Sequence, residues 1–94
     1  VADVADAQPQ SALAGIEHLP VVTKIVEDQL GTEPGKLSLA SRFDEDLQAD
    51  SLDVIELALE VEDRFGIVLE DDEVLAATTV AELLALIAEK RSAA

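Results

Sequence analysis

The stretch ADSLDVIELALEVEDRFG, Ala49 to Gly66, decides how the rest of the chain is read. Asp50 has a side chain suited to capping a helix, with Asp53 at the third helical position and Gly66 sixteen residues on, where a left-handed stop is wanted. Between them Leu57, Ala58, Val61 and Phe65 recur on one face, as a helix packed on a core requires. Asp53, Glu56, Glu60 and Asp63 step by three and four residues and form a second, acidic stripe, with Leu52, Ile55 and Leu59 beside it. One neutral hydroxyl, Ser51, stands at the start of this helix among carboxylates.

Upstream, Leu19, Val22, Ile25, Val26 and Leu30 keep helical spacing, Pro20 fits a first turn and Gly31 a C-terminal cap. Thr32 to Asp46 holds Pro34 and Gly35 and then Leu37, Leu39 and Phe43 without a period, which predicts a long loop pinned to the core. Downstream, Gly66 to Glu70 reads as a buried connector and Asp71 to Ala76 as one or two acidic turns. Thr79 and Glu82 form a Thr-x-x-Glu box opening a last helix to about Lys90, with Val80, Leu83, Leu84 and Ile87 inward. No stretch alternates like a strand. The expected fold is all-α: a small antiparallel bundle of three main helices plus one short helix, spanning 19–91 between an N-terminal extension, 1–18, and a short tail, 92–94.

The 94 residues carry 21 acids against 6 bases, a formal net charge of -15, which opposes binding to nucleic acid or an anionic membrane. Thirteen of those acids lie between Asp44 and Glu73, where Arg64 is the only base. Like charges at helical spacing repel, so a stripe with no interleaved lysine is a costly way to gain solubility and suits docking to a basic protein. There is no cysteine, so the polypeptide has no thiol chemistry of its own. The single histidine, His18, has no nucleophile near it in sequence and reads as a solvated residue ahead of the first helix. Neither FDEDL (43–47) nor LEDDEV (69–74) has the ligand pattern of an EF-hand, so no metal site is expected. No apolar run reaches the roughly 20 residues of a membrane span, and the start lacks a secretion signal, so a cytoplasmic location is expected; the chain is also expected to be a monomer.

The run DLQADSLDVIELALEVEDRFGIVLEDDE (46–73) resembles acyl carrier proteins, and the likeness extends from Leu19 to Arg91 through VVTKIVEDQLG, SRFDEDL and ATTVAELLALI. The resemblance implies that Ser51 takes a covalent 4'-phosphopantetheine arm, which would supply the thiol that the chain lacks. A helix start suits the phosphodiester, because free N–H groups and the positive end of the dipole meet it there. The same resemblance implies that Asp50 helps position Mg2+ and coenzyme A while a phosphopantetheinyl transferase loads the arm. It further implies that Leu52, Asp53, Ile55, Glu56, Leu59, Glu60 and Asp63 form the face met by basic patches of acyl-chain synthases, reductases and dehydratases. The chain would be no enzyme itself but a carrier of acyl thioesters in fatty-acid or polyketide assembly. Leu57, Ala58, Val61, Ile67 and Leu84 are the candidates for lining a shelter for the acyl chain. Gln48 stands where many family members have glycine, which leaves the backbone there open. Two other readings remain: an unmodified acidic adaptor or cation-responsive binding module, and a carrier of aminoacyl or peptidyl groups.

Overall fold

A computed structural model describes residues 15–93; what was expected of 1–14 and of Ala94 lies outside them. Four α-helices follow a single 3-10 turn, Ile16–His18: α1 Leu19–Leu30, α2 Ser51–Phe65, α3 Asp71–Ala76 and α4 Val80–Ala93. The fold is all-α; the one pairing of strand type among the described residues is an isolated antiparallel bridge between Arg42 and Thr79.

The apolar faces legible in the sequence close on one another. Val22, Ile25 and Val26 of α1, Leu57, Ala58 and Val61 of α2, Val74 of α3 and Val80, Leu83, Leu84 and Ile87 of α4 are all buried. Burying a side chain of this size stabilises by about 1.5–3 kcal/mol relative to leaving it in water. Gly66 ends α2 with φ 66° and donates its N–H to the Glu62 carbonyl at 2.8 Å, a conformation that a residue with a Cβ resists. Beyond it the connector runs extended, Ile67 and Leu69 inward and Val68 71% exposed. The Leu69 N–H donates to the Glu62 carboxylate at 2.6 Å, which satisfies a backbone donor that has no ladder to join.

The loop between α1 and α2 is tied down in its second half. Phe43 donates its N–H to the Thr78 carbonyl at 3.0 Å, while Ser41 and Leu39 carbonyls accept from Val80 and Ala81 at 3.0 Å each. Phe43, 3% exposed, is the plug that these bonds hold in the core. The Ala49 N–H then returns to the Phe43 carbonyl at 2.7 Å, so the chain arrives at Asp50 already oriented. Across the other side, Lys90 of α4 and Glu73 of α3 pair at 2.7 Å.

Three local expectations change. His18 is not a solvated residue: its side chain is 16% exposed, and its ring meets Phe65 edge-on with centroids 4.9 Å apart. Arg91 lies 5.8 Å from the centroid of the same ring and donates to the Phe65 carbonyl at 3.3 Å, where the negative end of α2 favours a cation. Packing thus reaches back past Leu19 to Gly15, whose φ is 80° and where any Cβ would collide with the Leu84 carbonyl. The box at the start of α4 is displaced by one residue. Thr79 Oγ1 accepts from the Glu82 N–H at 3.2 Å, but the Glu82 carboxylate reaches the Thr78 N–H and hydroxyl, at 2.7 and 2.9 Å. Finally α4 runs to Ala93, three residues past Lys90, with Lys90 and Arg91 in its last turn complementing the dipole.

Candidate functional site

Ser51 is the first residue of α2 and is exposed. Two neighbours fix it there. Asp50 accepts the Asp53 N–H on Oδ1 at 2.8 Å, and Asp53 accepts the Asp50 N–H on Oδ2 at 3.1 Å, a reciprocal capping box. Two residues before Asp50, Gln48 has φ 57°, the one non-glycine residue with positive φ among those described. The left-handed bend is therefore kept with a glutamine in the glycine position, at a steric cost. With the Asp53 N–H capped, the first-turn N–H groups of Ser51 and Leu52 have no partner within the helix, and a helix start of this kind favours an anionic group.

Beside Ser51 opens a cleft of about 140 Å³, bordered by Phe43 and Asp44 of the loop, Ala49 to Ser51, Val54, and Leu75, Ala77 and Thr78 from the end of α3 and the turn after it. Its floor is apolar and its rim acidic. Asp44 is held below the usual carboxylate range, chiefly by the Glu45 N–H at 2.6 Å and further by the Arg42 side chain. None of Leu57, Ala58, Val61, Ile67 and Leu84 borders this cleft; all five lie in the packed core, 0–9% exposed. What opens at Ser51 is lined instead by Phe43, Ala49, Val54, Leu75 and Ala77. The spacing of the second helix gave no sign of this, because seven of the nine bordering residues come from the loop and from the α3 end with the turn after it, and only Ser51 and Val54 from α2.

The outward face of α2 divides. Leu52 and Leu59 are 63% and 59% exposed and Ile55 is half-buried between them, an apolar strip flanked by exposed Glu56 and Asp63. Glu60 is half-buried and pairs with Arg64 at 3.4 Å, and the Asp53 carboxylate is turned back to the cap, so these two acids are engaged within the chain. Val68 and Leu75, 71% and 45% exposed, add apolar surface that helical and capping patterns do not mark. Ile67, Val68 and Leu69 are all apolar, so nothing in the sequence singled out Val68 as the one that faces outward. Among the described residues no three histidine or acidic side chains converge on a point that could hold a metal ion.

A family model described as a phosphopantetheine attachment site matches residues 20–87. The chain belongs to the acyl carrier protein family. An acyl carrier protein of Rubrobacter xylanophilus is 38% identical over 77 residues, which cover 82% of this chain and 95% of the relative. The cofactor of this carrier is covalently bound 4'-phosphopantetheine, and the family's role is to carry, with the chemistry left to partner enzymes. The residues present fit such a group: an exposed hydroxyl at a helix start, unpartnered N–H groups behind it and an apolar-floored cleft alongside. No helix among the described residues is long and apolar enough to cross a membrane.

Proposed function

We propose that Ser51 Oγ bears the arm and that this carrier holds acyl chains as thioesters, delivering them to enzymes of fatty-acid or polyketide assembly in the cytoplasm. The observation that carries this reading is the exposed Ser51 hydroxyl at the first position of a doubly capped helix, opening on the cleft. The arm, when bound, supplies the thiol on which the acyl group rides. The chain's own residues do the rest. Asp50 keeps the first turn in shape through Oδ1, leaving Oδ2 for Mg2+ and coenzyme A during loading by a phosphopantetheinyl transferase. Leu52, Ile55 and Leu59 form an apolar centre and Glu56 and Asp63 an acidic edge, which suits basic docking patches on synthases, reductases and dehydratases. Asp53 and Glu60 belong to that face by position but contribute less charge to it, being paired within the chain.

Contacts of this kind are brief. Charge steering raises association rate more than lasting affinity, which suits a monomeric carrier that must leave each enzyme after one step. The test is intact mass after incubation with coenzyme A and a phosphopantetheinyl transferase. One prosthetic increment on the peptide containing Ser51 is expected; a folded chain that gains none is an acidic adaptor and not a carrier loaded at this serine.

A further inference from the structure

Apart from Ser51, every polar side chain bordering the cleft offers acceptors. Asp44 and Asp50 are carboxylates at its exposed rim. Thr78 is half-buried, and the proton of its hydroxyl is already committed: it goes to Glu82 Oε1 at 2.9 Å, the same oxygen that takes the Thr78 N–H at 2.7 Å. With the donor spent and the hydroxyl direction set, only lone pairs remain on Thr78 Oγ1. The other residues that border the cleft, Phe43, Ala49, Val54, Leu75 and Ala77, offer nothing polar from their side chains. Such a cleft suits a slender, apolar ligand with N–H donors, and it repels one bearing a carboxylate or phosphate at the same depth. A pantetheine chain has that chemistry beyond its phosphate: two secondary amides, each with one N–H, separated by short methylene segments.

We propose that Thr78 is a positioning residue for the arm: its hydroxyl accepts a hydrogen bond from a pantetheine amide N–H and lays the arm along the cleft. This rests on the attachment at Ser51. Asp44 and Asp50 favour the same donors, but at the exposed rim their pull is weakened by water and salt. Thr78 is the acceptor with fixed geometry, and Glu82 acts only through it, by holding the hydroxyl proton away from the cleft. Delivery to a partner then includes breaking one hydrogen bond, so the arm rests on the carrier between visits without being locked there.

The test uses the full chain loaded enzymatically with coenzyme A carrying 15N in its pantetheine amides. In the loaded parent, one arm N–H exchanges with solvent about fivefold more slowly than in free coenzyme A, the protection of a single modest hydrogen bond. Thr78→Val, which keeps the shape and lacks the acceptor, returns exchange to the free rate, and Thr78→Ser retains the protection. Nuclear Overhauser contacts between that arm amide and the Thr78 methyl test the placement in the parent alone, whatever the stability of the valine variant. A loaded, folded parent whose arm exchanges at the free rate, or lacks those contacts, overturns the inference while leaving the attachment intact. Equal protection in parent and folded Thr78→Val does the same. A parent that gains no mass on the Ser51 peptide overturns the attachment itself.

Discussion

Asp50 and Asp53 each accept the other's backbone N–H, at 2.8 and 3.1 Å, so two like-charged residues hold the helix start together through the main chain. Replacing Asp50 with Ala removes one of these acceptors and is expected to cost about 0.5–2 kcal/mol in urea unfolding. Asp50→Asn keeps an acceptor oxygen and is expected to unfold within a few tenths of a kcal/mol of the parent. Loading separates its two roles: if Asp50→Asn were modified at the parental rate, the carboxylate would have no part in positioning Mg2+ and coenzyme A.

Gln48 spends steric energy to keep a left-handed bend three residues ahead of Ser51. Gln48→Gly relieves that crowding and gives back part of the gain through the freer unfolded chain, for a net stabilisation of about 0.5–1 kcal/mol. Chemical denaturation reads it directly. An unchanged or lower midpoint would mean that the glutamine side chain makes up for its backbone.

Among the described residues Ser51 makes no side-chain hydrogen bond, and it is exposed, so Ser51→Ala is expected to change stability by less than about 0.5 kcal/mol. The same variant is expected to gain no prosthetic mass. Modification persisting in Ser51→Ala would move the attachment elsewhere.

Glu56 is exposed, with no ion pair among the described contacts, and lies four residues before Glu60, so Glu56→Lys exchanges a repulsive pair for an attractive one. The helix is expected to stay as stable or to gain a few tenths of a kcal/mol. Transfer to a basic partner enzyme is expected to slow, mainly in association rate, and the difference from the parent should shrink as salt is added. Stopped-flow mixing at two ionic strengths measures both.

The Glu82 carboxyl is held below its usual range, first by the Thr78 N–H and then by the Thr78 hydroxyl. A depressed folded-state pKa contributes stability above the unfolded value, here 4.5, and that contribution is lost as pH falls through the lower folded value. The stability gap between the parent and Glu82→Gln is therefore expected to be constant above about pH 5.5 and to narrow below about pH 4.5. A gap that widens on acidification would reverse the sign. Relief of the -15 net charge by protonation is common to both proteins and largely drops out of the difference.

What could be read in advance was what depends on near neighbours. The cap at Asp50, the stops at Gly31 and Gly66 and the buried faces of three helices follow from spacing within one turn, and the resemblance singled out the serine at position 51. What could not be read depends on residues far apart in the chain. His18 is half-buried because Phe65, forty-seven residues on, offers its ring. The displaced cap at Thr78 follows from the bond that draws the Thr78 carbonyl to Phe43. The cleft escaped for the same reason: it is assembled from the loop, the start of α2 and the end of α3, and no periodicity within any one of them marks it.

The edge-on contact of His18 with Phe65 has a practical consequence in a chain with no tryptophan or tyrosine, where ordinary fluorescence is blind. A lone imidazole resting on an aromatic ring should show ring-current-shifted proton resonances that belong to one residue, His18, the only histidine of the chain. Those signals form a native reporter on the closure of the bundle, and they sit clear of any label or cargo placed at the serine.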